Sequence, residues 1–321
     1  MEKFRFAVSA PDVSSLKEWQ DAVRSLESAG FDTVVVADHF TEGWTLEPMI
    51  ALTAAAAATK TIHLQTGVLA NDYRHPVLVH RMAATLDQLS EGRFTLGMGA
   101  GWLISDYHAA GLNLDEPSVR LDRLEESVKV IKELFTGLPV NFAGRHYQIS
   151  GLVGVPEPYR SRRPPLMMGG GSPRVLRLAG READLVSIVA SLKAGYTGAH
   201  SIFDLRAEQV EKKVGWIREG VAERTRDGHE VTISINHWLV RITRTRGEAR
   251  ELLERVASSS GVDADLLADS PAVLVGTVDQ LVDTLWERRE RFGISHLQLD
   301  AGFAPKSVDA LVPLVERLAG A

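Results

Sequence analysis

Short apolar runs alternate with longer stretches in which apolar residues recur at helical spacing, and the two patterns predict strands and amphipathic helices in turn. Phe4 to Ala10 (FRFAVSA) predicts a first strand. Leu16, Trp19, Val23, Leu26 and Ala29 then mark a helix face, closed by Gly30. Asp32 to Ala37 is a second strand, apolar and β-branched through its centre and so expected to be covered on both faces. Met49 to Thr59 is an alanine-rich helix, and a third strand starts at Thr61 with Ile62, Leu64 and Val68. Asn71 to Pro76 reads as a polar loop, followed by a helix whose buried face is Val79, Met82, Ala83, Leu86 and Leu89. Ser90-Glu91-Gly92 stops that helix before a fourth strand, Phe94 to Leu96, which runs straight into Gly97, Gly99 and Gly101.

The alternation continues. Asp122 to Phe135 is a helix, and Val140 to Tyr147 carries a hairpin turn at Ala143-Gly144. Pro165 to Met168 is strand five, followed by Gly169-Gly170-Gly171, an N-cap at Ser172 and a short helix from Pro173 to Gly180. Strand six is Asp184 to Val189, a charged helix covers Asp204 to Arg226, and Val231 to Thr243 alternates as strand seven. After an extra helix at Glu248 to Val256, a helix carries Val278, Leu281, Val282, Leu285 and Trp286 to Gly293. Ser295 to Leu299 is the eighth strand and Ser307 to Leu318 the last helix. Eight strands alternating with eight main helices predict an α/β fold of the (β/α)8 TIM-barrel type, with loop insertions at about 103–118, 136–164, 190–203 and 244–275. No linker or shift of composition divides the chain, so residues 1–321 read as a single domain.

Composition narrows the function. A 45% hydrophobic share over 321 residues is enough for one large core. A net charge of −6 without a dense basic patch argues against nucleic acid as a partner. The absence of cysteine excludes disulfides, thiolate metal sites and cysteine nucleophiles. The first strand starts with no charged-then-apolar leader, and no apolar run approaches bilayer length, so a cytoplasmic location away from membranes is expected.

Candidate chemistry lies just past the strand ends, where barrels bind ligands. Gly97-x-Gly-x-Gly lacks the dinucleotide spacing and reads equally as close packing at a tight turn. Met168 to Pro173 suits an anion better: three glycines allow close backbone approach, and a helix start adds a favourable dipole. Asp38 and His39 follow strand two, where a histidine can orient a ligand or move a proton. Trp44 and Trp102 are placed to wall a flat ring or simply to pack loops. His75 and His80 have no carboxylate at metal-binding spacing and read as non-ligands, so no metal is expected. Ser90 and Ser172 lack the context of a nucleophile.

Together, Asp38-His39-Phe40, Thr66-Gly67-Val68, LDQLSEGRFTLGMGAGW over Leu86 to Trp102, and MGGGSP over Met168 to Pro173 resemble the bacterial luciferase-like superfamily of flavin and deazaflavin oxidoreductases. The resemblance covers nearly the whole chain, Val275-Gly276-Thr277 and the following helix included. It implies a (β/α)8 barrel, an isoalloxazine-type ring across the C-terminal mouth, and a homodimer, for which the helices at 49–59 and 77–90 offer an interface. The sequence is more similar to the F420-dependent branch than to the luciferases. That likeness implies Asp38 and His39 beside the ring, a non-proline cis peptide at Gly67–Val68 behind it, and a phosphorylated tail on Gly169, Gly170 and Gly171 with Ser105 helping. Thr66 and Met168 belong to the same expected cofactor shell.

One departure matters. In the sugar-phosphate dehydrogenases of that branch a glutamate follows the strand-four glycines as proton donor, whereas this chain has Trp102. Trp44 matches an active-site tryptophan of those enzymes. The resemblance thus implies an F420-dependent oxidoreductase with His39, Trp44 and Trp102 at the reacting centre and an unnamed small-molecule substrate. The alternatives are an FMN-dependent monooxygenase using reduced flavin and oxygen, and a barrel that binds flavin without turnover.

Overall fold

The computed structural model describes residues 3–11, 13–41, 46–192, 195, 197–224, 230–300 and 308–318. The chain opens with strand β1 (Arg5–Ser9), helix α1 (Leu16–Ser28), β2 (Thr33–Val36), α2 (Pro48–Ala58) and β3 (His63–Thr66). Each helix start has its own sequence cause. Ser15 accepts from the Glu18 N–H at the head of α1, and Glu47 accepts from the Ile50 N–H just before Pro48. A two-residue strand β4 (Leu69–Ala70) and a 3-10 turn lead to α3 (Pro76–Leu89), β5 (Phe94–Gly99), α4 (Ile104–Ala110) and α5 (Pro117–Leu134). The antiparallel hairpin of β6 (Val140–Ala143) and β7 (Gln148–Leu152) follows, closed by the Gly144 N–H donating to the Tyr147 carbonyl.

The second half runs β8 (Leu166–Gly170), α6 (Pro173–Glu182), β9 (Leu185–Ile188), α7 (Ala199–Asp204), α8 (Ala207–Ala222) and β10 (Thr232–His237). It ends with β11 (Leu239–Ile242), α9 (Arg246–Ser260), α10 (Ala264–Asp269), β12 (Val273–Gly276), α11 (Val278–Phe292), β13 (Ile294–Leu299) and α12 (Val312–Leu318). Eight parallel strands close a barrel in the order β3-β2-β1-β13-β10-β9-β8-β5 and back to β3, with β4 lying along the end of β5. The fold is the (β/α)8 barrel that the sequence predicts. No helix among the described residues is long and apolar enough to cross a membrane.

Several boundaries differ from the sequence reading, each for a physical reason. The alternating stretch after Val231 is two strands: the chain leaves the barrel at Trp238, and β11 pairs with β12 in a separate small sheet. A period-two pattern does not say which sheet a strand joins. The helix expected over Asp204 to Arg226 starts later, at Ala207: Asp204 ends the preceding α7, Arg206 is extended (φ −67°, ψ 157°), and Arg226 lies outside the described residues. Gly180 does not end α6. A Cβ there would run into the Ile217 carbonyl of α8, and one on Gly220 would meet Arg177 of α6, so both glycines serve a close helix crossing. Gly97 and Gly99 lie inside β5 and Gly169 and Gly170 inside β8, while Gly101 and Gly171 follow the strands as expected.

Side chains alternate across each strand. Phe6, Val34, Leu64, Leu96, Val186 and Leu297 join the core shared with the helices. Their neighbours Ala7, Val35, Gln65, Gly97, Ser187 and Gln298 therefore face the lumen, and Ser9, Gly67, Gly169 and Asn236 follow on that face towards the C-terminal mouth. A barrel lumen is ordinarily filled with bulky branched side chains. Here its upper part is small and polar.

Candidate active site

The loop after β2 is anchored from two sides. Asp38 is buried and accepts both guanidinium nitrogens of Arg74 (2.6 and 2.9 Å) together with the Ala70 N–H (2.9 Å). Arg74 also reaches Glu47 at 2.9 Å. The Asp38 carboxylate is thus engaged in pinning the 70–74 loop, and it supports the mouth rather than presenting itself to it.

His39 has a different partner. Its Nδ1–H donates to Oδ2 of Asp106 on α4 at 2.6 Å. The other carboxylate oxygen accepts the N–H groups of Phe40 and Thr41 (both 3.1 Å) and the Thr41 hydroxyl (2.9 Å). Burial pushes the Asp106 carboxyl up, but the bonds from His39, Thr41 and Phe40 outweigh it and hold the group below its ordinary value. Asp106 is therefore an ionised, fully enclosed carboxylate, and it fixes the imidazole with its proton on Nδ1. The half-buried Trp102 meets the His39 ring edge to face at 5.7 Å between centroids. Behind them Tyr73 donates to Asp106 (3.4 Å) and Tyr107 to Asp72 (2.9 Å), and burial raises both phenols.

The floor of the mouth is built by glycines. The Gly67–Val68 peptide is cis, at the position the sequence resemblance implies. A Cβ on Gly67 would strike Val35, one on Gly97 the Thr66 carbonyl, and one on Gly99 the Val68 side chain at 2.6 Å. The Gly97 run is thus close packing between β3 and β5, the plainer of its two sequence readings. Gly101 adds a true conformational need, with φ +75°. Thr66 is fully buried, and its hydroxyl both donates to the Gly97 carbonyl and accepts the Gly97 N–H (2.9 and 2.8 Å). It clamps two strands together.

None of Gly169, Gly170 and Gly171 has a positive φ. Gly170 faces Val175 of α6, Gly171 packs on the Ala190–Ser191 backbone, and of the three only Gly169 faces the lumen, where a Cβ added to it would stand 3.4 Å from the Ser187 carbonyl oxygen. The Gly171 carbonyl accepts from the buried Lys213 ammonium at 2.6 Å, and Lys213 pairs with Asp204 at 2.7 Å. Ser172 stands at the N-cap of α6, but its side chain makes no capping bond. Met168 lies in the core beneath the helices, and Ser105 is exposed on α4. Trp44 lies outside the described residues.

The structure therefore brings Asp38, His39, Gly67, Val68, Trp102 and the β8 glycines to one end of the barrel. Two members escaped the sequence reading, Asp106 and Arg74. Asp106 follows the glycine run by five residues on a short helix, and its only sequence signal is a lone carboxylate in a neutral stretch. His75 caps α3 by accepting the Val77 N–H, and His80 is buried against Phe135. Among the described residues no group of three or more His, Cys, Asp or Glu is placed to hold a metal.

A 4-hydroxyprotoasukamycin monooxygenase from Streptomyces nodosus subsp. asukaensis is 29% identical over 302 residues, 87% of this chain and 76% of that protein. An F420-dependent glucose-6-phosphate dehydrogenase from Amycolatopsis mediterranei is 35% identical over 194 residues, 57% of this chain and 56% of its own length. This chain thus matches little more than half of that dehydrogenase. In fold it is similar to an F420-dependent secondary alcohol dehydrogenase in complex with an F420-acetone adduct (TM-score 0.77, 20% identity, 99% of each chain). A monooxygenase from Streptomyces bottropensis superposes with a TM-score of 0.74 at 21% identity over 98% of this chain and 99% of its own. The model of the luciferase-like monooxygenase family matches residues 3–269, and the chain belongs to that family of enzymes.

Proposed function

We propose that this protein is an F420-dependent oxidoreductase that moves a hydride between C5 of the deazaflavin and a small organic substrate. The observation that carries the reading is the His39–Asp106 pair at 2.6 Å, set edge to face with Trp102 above a glycine floor. The similarity to F420-dependent dehydrogenases supports the choice of cofactor. The residues fit such a group: among the described residues the upper lumen is lined largely by small and polar groups, and Gly169 opens on it.

In this reading Gly67, Val68 and Gly169 seat the ring, and Gly170 and Gly171 with the start of α6 receive the phosphorylated tail, Ser105 helping from α4. The bound deazaflavin supplies hydride transfer. Asp106 keeps the proton on Nδ1 of His39, which assigns Nε2 to exchange a proton with the substrate. Trp102 walls the substrate and limits water. Oxygen uptake tests the reading: turnover with reduced F420 and no oxygen consumption is expected, and oxygen-dependent turnover with reduced FMN overturns it.

A second reading, an FMN-dependent monooxygenase, is favoured by the monooxygenase relative that matches 87% of the chain. We also propose a homodimer through α2 and α3, supported by the exposed Ile50, Leu78 and Leu89. Sedimentation at micromolar concentration as a monomer would refute it.

A further inference from the structure

In the lumen beneath the mouth, one atom of each of two side-chain amides has no hydrogen-bond partner among the described residues. Gln65 on β3 is 1% exposed, and its Nε2 has no hydrogen-bond partner. On β10, Oδ1 of Asn236 is buried in the same condition. The two strands stand four apart in either direction around the barrel, so these residues face each other across the lumen. Both are near its upper end. Gly67 is the next lumen-facing residue after Gln65, and Asn236 is the last on β10, in register with Gln298. Lower down, Ser234 and His296 satisfy one another at 3.0 Å. His237, whose Nε2 also lacks a partner, lies on the opposite face of β10 with Ile235 and is no part of this set.

Leaving a buried donor or acceptor unpaired forfeits the worth of a hydrogen bond to water, and native interiors keep few such groups. One donor and one acceptor on facing walls, under a mouth floored by glycine, ask for a flat ligand that carries both complements. Neutral amides do not suit an ammonium or a phosphate. They suit an imide edge, where carbonyl, N–H and carbonyl stand in a row. We infer that Gln65 and Asn236 read the pyrimidinedione edge of the bound ring, Gln65 Nε2 donating to a ring carbonyl and Asn236 Oδ1 accepting the imide N–H. The inference rests on the reading of the mouth as a deazaflavin or flavin seat, and it makes these two residues determinants of affinity for a ring with a free imide N–H, an edge that both cofactors share.

The test is equilibrium binding by fluorescence, with thermal melting alongside. The probes are the tail-less 8-hydroxy-5-deazaflavin, its N3-methyl derivative and FMN, on the parent, Gln65→Met and Asn236→Leu. The parent should bind the imide N–H ring about tenfold or more tighter than the N3-methyl ring, the worth of one good hydrogen bond. Asn236→Leu should lose that discrimination, and Gln65→Met should weaken both deazaflavins about tenfold. Both variants should melt no lower than the parent, since each removes an unpaired buried group. Equal binding of the two rings by the parent, unchanged affinity in Gln65→Met, or variants that melt markedly lower each overturn the inference. The ring comparison on the parent alone decides the matter should a variant fail to fold. A parent that binds no ring at all defeats the flavin-seat reading itself and this inference with it.

Discussion

His39 and Asp106 stand 67 positions apart in sequence and share a 2.6 Å hydrogen bond at the mouth of the barrel. The bond joins the loop after β2 to the helix after β5, and it converts an ordinary loop histidine into one of fixed tautomer. His39→Ala is expected to lower kcat by about 10²- to 10⁴-fold, the usual worth of a positioned acid–base group. Melting should stay within a few degrees of the parent, because the side chain belongs to a mouth loop. Asp106→Asn should lower kcat by less, with KM little changed. Stopped kinetics in Asp106→Asn with full activity in His39→Ala would remove the histidine from the mechanism.

Asp38 carries a different expectation. Its side chain is 2% exposed and pairs with Arg74 at 16%, so removing it leaves a guanidinium largely out of water with a single exposed partner. Asp38→Ala should cost about 3 kcal/mol in urea unfolding, the scale for breaking a buried pair. Lys17→Ala, which breaks an exposed pair with Asp21, should change stability by less than about 0.5 kcal/mol.

The glycines divide by what a Cβ would meet. Gly97→Ala drives a methyl into the Thr66 carbonyl and should destabilise the barrel by about 1–3 kcal/mol or more. Gly215, inside α8 with nothing within 4 Å, should instead gain about 0.5–1 kcal/mol on changing to Ala. Gly170→Val would strike Val175 and unsettle α6, so it does not isolate an anion site. Gly169→Ala, with its Cβ at ordinary contact distance from Ser187, tests the seat without a clash.

Much of this was legible in the sequence and some was not. The eight barrel strands show as apolar runs because helices cover one face of each, and the cis position at Gly67–Val68 is carried by the family pattern. The packing of Gly170 on Val175 and of Gly171 on Ala190 was not legible, because it depends on residues whose spatial position the local pattern does not encode. Asp106 and Arg74 were invisible. Their roles depend on partners 67 and 36 positions away, and no local period or spacing encodes a contact of that range.

Acid sensitivity should trace in part to Glu27. Burial raises its carboxyl, but the N–H groups of Lys60, Thr61 and Ile62 and the Thr61 hydroxyl outweigh it and hold the pKa at about 2. A depressed folded-state pKa adds stability that is complete above the unfolded value near 4.5 and is lost as pH falls towards 2. Glu27→Gln should therefore be less stable than the parent at pH 7, with a smaller further loss between pH 5 and 2, as followed by urea midpoints.

The most direct test of the proposed chemistry is a side-by-side fluorescence titration of the purified protein with F420 and FMN. The F420 reading predicts saturable binding of F420 at micromolar or lower concentration, at least tenfold tighter than FMN, a preference of about 1.4 kcal/mol. Tighter binding of FMN, or no binding of F420, would contradict it.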